Sequence, residues 1–133
     1  MDKQRVQYFV DEKNKVVVAS INGCKYDSVY VINGIINNVS SKISFDPSYD
    51  SELLMRDSYK AVAKCDNEDE FNVEIGKKIA LEKLIDRYHK SLNNRIDKFV
   101  RLIYRIHNES LDFLIRKGFP VEENDEFIID SVF

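Results

Sequence analysis

The chain has 133 residues, 44% apolar and 32% charged, so it can build one domain with a single core, and wholesale disorder is excluded. Its net charge of −3 is uneven: residues 1–74 carry −4, residues 75–117 carry +6 and residues 118–133 carry −5. No apolar run approaches the roughly 18 residues of a membrane span, and no secretory signal precedes the first charges, which predicts an intracellular protein without a membrane partner.

The first 22 residues predict a β-hairpin. Residues 5–10 alternate loosely between apolar and polar side chains, and a polar turn at 11–14 separates them from a second strand at 15–21. The second strand contains a run of β-branched residues, which fits a pleated, half-buried surface. Asn22 and Gly23 are expected to end it.

A helix is predicted from Asp27 to about Val39. The segment also has strand propensity, but its apolar residues recur at helical spacing, and Asp27 or Ser28 can serve as the N-cap. The proline-containing, acidic segment 44–52 is predicted to be a loop.

A third strand is predicted at 59–65, followed by the acidic loop 66–70. Apolar and polar residues alternate in this strand, so one side is expected to face the core and the other solvent. The residues expected to face the core are Tyr59, Ala61, Ala63 and Cys65.

Residues 72–117 form a long helical region. They contain no proline and a single glycine, Asn72 is a plausible N-cap, and Gly118 and Pro120 mark the end. The buried side is expected to begin with Ile75, Ile79 and Leu81.

Two arrangements of this helical region are open. A single helix would be a rod of roughly 68 Å, far longer than a domain of this size is wide. The Ser and Asn residues at 91–94 compete locally for backbone hydrogen bonds, so two helices, at about 72–91 and 95–117, are the preferred prediction.

An apolar seam runs along the helical region with a mean step of about 3.5 residues, the period of packed helices. Its members are Ile85, Tyr88, Leu92, Ile96, Phe99, Ile103, Ile106, Ser110 and Phe113. The segment 99–106 is apolar nearly all round, more than one core face requires. Burial in a small bundle and a partner interface are both open, and a homodimer through residues 92–113 is one such interface.

These elements predict an α+β fold in which a small antiparallel sheet of about three strands packs against helices. A single domain is expected over residues 1–117, with the sheet and short helix within 1–66. Residues 118–133 form an acidic C-terminal tail whose last residues are apolar, an ending typical of a segment that docks on the fold or on a partner.

Catalytic, cofactor and metal motifs are missing from the sequence. It contains no glycine-rich phosphate loop, nucleophile elbow or HExxH pattern, and His89 and His107 are too far apart on a helix to share a metal. Cys24 and Cys65 lie outside any CxxC pattern, so reduced structural thiols are expected. We therefore expect a protein that is not an enzyme and needs no cofactor.

The acidic loop and the acidic tail are the first candidate binding surface. The loop lacks the glycine and spacing of an EF-hand, so a solvated loop that leads into a helix N-terminus is its simplest interpretation. The carboxylates could also stand in for phosphates and contact a nucleic-acid-binding protein. The candidate residues are Asp66, Glu68, Asp69, Glu70, Glu122, Glu123, Asp125 and Glu126.

A basic stripe along the helical region is the second candidate surface. Its members lie about 200° around the helix from the seam, so the stripe is expected to face away from the core. It could follow nucleic-acid phosphates or an acidic protein, or be an ordinary solvated face balanced by Asp86 and Asp97. Its members are Arg87, Lys90, Asn94, Lys98, Arg101 and Arg105.

Residues 59–80, YKAVAKCDNEDEFNVEIGKKIA, resemble a module of small proteins from phages and mobile elements of Gram-positive bacteria. In that module a short strand leads through an acidic turn into a helix that begins E-x-G-x-x-x-A, as Glu74, Gly76 and Ala80 do here. Residues 16–27 (VVVASINGCKYD) look like the segment that precedes it. The resemblance implies a phage-type origin and an α+β fold like that of a double-stranded RNA-binding domain.

The same resemblance suggests a function. Small acidic phage proteins without cofactor motifs are often inhibitors of host defence, so the leading expectation is an anti-CRISPR protein that binds a host nuclease or effector in the bacterial cytoplasm. The alternative is a nucleic-acid-binding module that uses Lys77, Lys78 and the basic stripe. A third hypothesis, an enzyme with an acidic metal site, would require Asp69.

Overall fold

The computed structural model describes residues 1–39, 46–66 and 68–120. These residues form the predicted α+β fold, with a three-stranded antiparallel sheet and a long C-terminal helix. In chain order the elements are a 3-10 turn (Lys3–Arg5), β1 (Gln7–Asp11), β2 (Val16–Ile21), α1 (Asp27–Val39), two 3-10 turns (Pro47–Tyr49 and Ser51–Leu53), β3 (Tyr59–Lys64) and α2 (Val73–Arg116). None of the helices in these ranges has the length and apolar character needed to cross a bilayer.

The sheet has the strand order β1-β2-β3, with both neighbouring pairs antiparallel. One face is buried under α2, and on β2 and β3 its buried side chains come from alternate positions. The strict alternation predicted for β3 is confirmed, because Tyr59, Ala61 and Ala63 are buried while the residues between them are exposed.

Helix α1 has the predicted bounds and turns one side inward. Ser28, Val29, Ile32 and Ile36 are buried along that side. The capping roles predicted for Asp27 and Ser28 are not the ones they have, because Asp27 lies in the first turn and the Ser28 hydroxyl bonds to the Leu53 carbonyl.

Asp27 joins three parts of the molecule. Its carboxylate Oδ2 accepts hydrogen bonds from Arg5 Nη1 at 3.0 Å and from the Tyr88 hydroxyl at 2.7 Å. Arg5 also donates to the carbonyls of Asn22 and Gly23. The hydrogen bond to Asp27 raises the pKa of Arg5, and burial raises the pKa of Tyr88, so both groups remain protonated donors.

Helix α2 is continuous over 44 residues, a length of about 66 Å, so the prediction of two helices is wrong. Two polar side chains at or near the expected break bond to other elements of the fold. The Ser91 hydroxyl bonds to the Tyr59 hydroxyl, and Arg95 Nε donates to the Leu54 carbonyl at 3.1 Å. The length is accommodated because only the first half of α2 covers the sheet, while its second half packs on α1.

The first turns of α2 bury a different side from the predicted one. Ala80, Leu84 and Tyr88 face the sheet, whereas Ile75 and Ile79 are 57% and 41% exposed. Small residues set this orientation, because a Cβ atom built on Gly76 would lie only 2.7 Å from Cγ2 of Val17. The helix therefore approaches β2 with its glycine side, and the two isoleucines point elsewhere.

The ends of α2 agree with the sequence signals. The Ile75 N–H donates to Oδ1 of Asn72 at 3.2 Å, which confirms the N-cap. Gly118 has a φ of 79°, the left-handed conformation predicted for the residue that ends the helix. The remainder of the tail, residues 121–133, lies outside the described residues.

Two clusters of buried side chains make up the core. The larger one lies between the sheet and α2, and the smaller one joins Ile32 and Ile36 of α1 to Leu53 and Phe99. Leu53 belongs to one of the two 3-10 turns that occupy most of the predicted loop, whose residues 44 and 45 are not described. Both cysteines are free thiols, as expected; Cys24 is buried, and burial raises its pKa.

The close approach at Gly76 predicts opposite effects for the same substitution in the two helices. Gly76→Ala should lower the free energy of unfolding by about 1–3 kcal/mol, because its methyl group would overlap Val17. Gly34→Ala should raise it by up to about 1 kcal/mol, because no atom lies within 4 Å and alanine favours a helix. Urea unfolding measures both values. Equal effects at the two positions would contradict the packing of α2 on β2.

Candidate functional site

An acidic cleft lies at one end of the sheet, where β3 leads into α2. It has a volume of about 440 Å³. Its lining includes the apolar side chains of Phe71, Ile75 and Ile79, which we call its floor, and the charged side chains of Lys64, Asp66, Asp69 and Glu70. The sequence pattern predicted the acidic residues of this surface but placed the two isoleucines in the core.

The four described carboxylates of the acidic loop, Asp66, Glu68, Asp69 and Glu70, are exposed. The Lys15 ammonium approaches the loop and donates to the Asp69 backbone carbonyl at 2.8 Å. That bond anchors the loop through its main chain and leaves the Asp69 carboxylate outside the contact. The loop therefore presents negative charge to solvent beside an apolar floor.

A purely structural role explains part of this arrangement. The loop precedes the N-terminus of α2, where negative side chains interact favourably with the helix dipole. Glu74 lies in the first turn and pairs with Lys77 at 4.0 Å. No group of three or more metal-ligating side chains occurs among the described residues. The exposed Ile75 and Ile79 are not explained by helix capping, and they distinguish the cleft from an ordinary solvated loop.

The basic stripe lies on one exposed side of the unbroken α2, and several of its charges have partners. Lys90 pairs with Asp86, and Arg101 pairs with Asp97, each at 3.0 Å. These are the balancing carboxylates that the sequence suggested. Asn94, Lys98 and Arg105 are also exposed.

Arg87 departs from the predicted position of the stripe, because it does not simply face away from the core. Its Nη1 donates to the carbonyl of Lys60 on the outer edge of β3. One turn earlier, Lys83 Nζ donates to the carbonyl of Val62 at 3.2 Å. These two side chains cover the edge of the sheet, a role that the sequence analysis did not assign.

An apolar groove lies between α1 and the second half of α2 and has a volume of about 470 Å³. It is lined by Ile35, Ile36, Val39, Phe99, Leu102, Ile103, Ile106, His107 and Ser110. The predicted seam is therefore divided. Leu92 and Phe99 pack within the fold, whereas Ile103, Ile106 and Phe113 are about half exposed.

The acidic candidates of the tail, Glu122, Glu123, Asp125 and Glu126, lie outside the described residues. Three residues of the acidic loop, Asp66, Asp69 and Glu70, line one cleft, whereas Glu68 of the same loop is exposed and is not part of its lining. The structure places the basic stripe and the apolar groove farther along α2. Comparison of the chain with protein-family models, curated proteins and solved structures finds no match.

The exposure of the cleft floor predicts a contrast in stability. Ile75→Ala should change the free energy of unfolding by less than about 1 kcal/mol, because most of the side chain is in solvent. Leu84→Ala should lower it by about 2–5 kcal/mol, because Leu84 is fully buried against the sheet. Urea unfolding of the two variants checks this orientation, and a large loss for Ile75→Ala alone would overturn it.

Proposed function

We propose that the protein is a non-catalytic interaction protein that inhibits a nucleic-acid-handling defence protein in the cytoplasm of a bacterial host. More specifically, the proposed function is that of an anti-CRISPR protein that binds a host nuclease or effector. The observation that carries the proposal is the acidic cleft, in which exposed carboxylates lie beside exposed apolar side chains.

The chemistry of the cleft fits the surface of a nucleic-acid channel. Such channels are lined by Lys and Arg, which bind phosphates, and a row of carboxylates can occupy the same positions. Opposite charges steer the encounter and suppress wrong partners, but they contribute less to affinity than buried apolar contacts do. Ile75 and Ile79 at the cleft floor supply apolar surface next to the charges.

The bacterial and phage context of the proposal comes from the resemblance of residues 59–80 to the phage module. Two residues of that motif, Gly76 and Ala80, have a structural role here, because their small size lets α2 lie close to β2. The resemblance supports the biological setting by analogy, whereas the cleft supports the mode of binding.

A nucleic-acid-binding module is the second candidate. It is favoured by the position of the basic stripe along one exposed side of a helix about 66 Å long. Lys98 and Arg105 would contact phosphates directly. Its weakness is that Arg87, Lys90 and Arg101 already bond within the molecule.

The homodimer predicted through residues 92–113 stays a prediction. If two copies met there, the contact would use the exposed part from Ile103 to Phe113, because Leu92 and Phe99 are occupied by the fold.

Removal of the acidic charge should weaken inhibition of the target. We expect the protein to co-purify with at least one member of a panel of CRISPR effector nucleases and to block its cleavage of DNA. Neutralising the loop should raise the concentration needed for half-inhibition by more than about tenfold, because the carboxylates would no longer meet basic side chains. The loop variant combines Asp66→Asn, Glu68→Gln, Asp69→Asn and Glu70→Gln.

A matched variant controls for total charge in this experiment. It neutralises the same number of exposed carboxylates elsewhere, through Glu12→Gln, Glu52→Gln, Asp57→Asn and Glu82→Gln, and should inhibit like the natural protein. Equal losses for the two variants would reject the cleft as the contact. Neither binding nor inhibition across the panel would reject the anti-CRISPR proposal.

A gel-shift titration separates the two candidate functions. Our proposal predicts no retardation of duplex RNA or DNA at about 50 mM salt, because the stripe is largely paired within the molecule. The second candidate predicts retardation that disappears by about 200 mM salt, since each phosphate contact releases counterions. A shift that is also lost in the variant Lys98→Gln/Arg105→Gln would establish the nucleic-acid-binding function instead.

A further inference from the structure

The two outer edges of the sheet differ in how their backbone groups are satisfied. On β3, the outward carbonyls of Lys60 and Val62 accept hydrogen bonds from Arg87 and Lys83 of α2. These long side chains lie along the edge and obstruct the approach of another strand. Cationic residues are a common protection against strand addition.

Among the described residues, no strand pairs with the outer edge of β1. The Cys65 N–H donates to the Lys15 carbonyl at 2.9 Å, one residue beyond the last pair of β2 and β3. This hydrogen bond shows that the odd-numbered residues of β2 direct their backbone groups toward β3. Hydrogen-bonded pairs alternate along antiparallel strands, so the groups of β2 that face β1 belong to its even-numbered residues. Tyr8 and Val10 therefore direct their N–H and C=O groups outward.

The outward groups of Tyr8 and Val10 have no partner among the residues that the structure describes. The strand also lacks the usual protections of an edge, because its five residues include neither Lys nor Pro and pair with β2 in unbroken register. Its only charge, Asp11, is at one end. A strand is the structure that satisfies alternating donors and acceptors of this kind.

Apolar side chains extend to the same edge on the open face of the sheet. Phe9 lies directly opposite Val18, which lies directly opposite Val62, so the three form a row across all three strands. Phe9, at the end of the row, is 65% exposed. An added strand would continue this row and cover the aromatic ring.

We propose that two copies of the chain associate by antiparallel pairing of their β1 strands, with Phe9 on the two-fold axis. In this register Tyr8 of one copy pairs with Val10 of the other, and all outward N–H and C=O groups between them form hydrogen bonds. Phe9 then meets Phe9 of the second copy at a non-hydrogen-bonded position, where cross-strand side chains are closest. The result is a continuous six-stranded sheet.

A second copy suits this edge because the strand is complementary to itself. The register places Gln7 opposite Asp11 of the other copy, and the two Asp11 carboxylates lie at opposite ends of the contact. No like charges are opposed within β1, and the apolar rows of the two sheets become one. This surface is separate from both the acidic cleft and the apolar groove, so the inference does not depend on the proposed function.

Sedimentation measurements on substituted proteins test this pairing. We expect the natural protein to form a dimer of twice the 15.6 kDa chain mass. Phe9→Lys should raise the dissociation constant at least about tenfold, because the change opposes two ammonium groups across the axis and removes the aromatic contact. Val62→Lys makes a comparable change on the exposed face of β3 and should leave the dimer intact.

A third variant, Ile106→Lys, distinguishes this contact from a dimer through the apolar groove, because Ile106 is exposed there. It should not affect a dimer formed through β1. The proposal is overturned if the natural protein is monomeric at all concentrations, or if Ile106→Lys dissociates the dimer and Phe9→Lys does not.

Oxidative cross-linking tests the register itself. Phe9→Cys in a Cys65→Ser background should form a disulfide-linked dimer under mild oxidation, because Cα atoms of a non-hydrogen-bonded pair are about 4.5 Å apart, within disulfide range. Val62→Cys in the same background is the control and should form little of the disulfide-linked species, because the two copies of residue 62 lie far from the axis. Cys24 is buried and stays unchanged in both. Equal cross-linking of the two variants would exclude Phe9 from the axis.

Discussion

The contact between Gly76 of α2 and Val17 of β2 determines how the long helix lies on the sheet. Because a side chain at Gly76 would overlap Val17, only glycine permits this approach without displacing the strand. Alanines on both elements extend the close contact, and Leu84 and Tyr88 then fill the space farther along. The same orientation turns Ile75 outward, so the packing that forms the core also exposes the floor of the acidic cleft.

The second support of the fold is the Asp27 carboxylate, which holds the N-terminal segment, α1 and α2 at one point. It fixes the start of α1 relative to α2 at Tyr88, and the smaller core cluster fixes the helices again at Phe99. Beyond Phe99 the two helices no longer fill the space between them. The apolar groove lies there, between Ile35, Ile36 and Val39 of α1 and the second half of α2.

The surfaces of the protein have different chemistry at separate places. The acidic cleft lies at the N-terminal end of α2, the basic stripe follows its outer side, and the apolar groove lies along its second half. Lys83 and Arg87 also close the β3 edge, so Arg87, a member of the basic stripe, has a structural task. That division of roles is consistent with our proposal that the cleft, and not the stripe, binds a partner.

Local patterns in the sequence determined the secondary-structure elements. These patterns depend only on neighbouring residues, and they are the alternation in β3, the helical spacing in α1, the Asn72 cap and the end of α2 at Gly118. Tertiary structure alone decided which side of α2 is buried, because that depends on the distant Val17. It also decided that α2 continues through Ser91, whose hydroxyl bonds to Tyr59 across 32 positions of sequence. A polar residue breaks or tolerates a helix according to the partners that the fold provides, and its neighbours in sequence do not specify them.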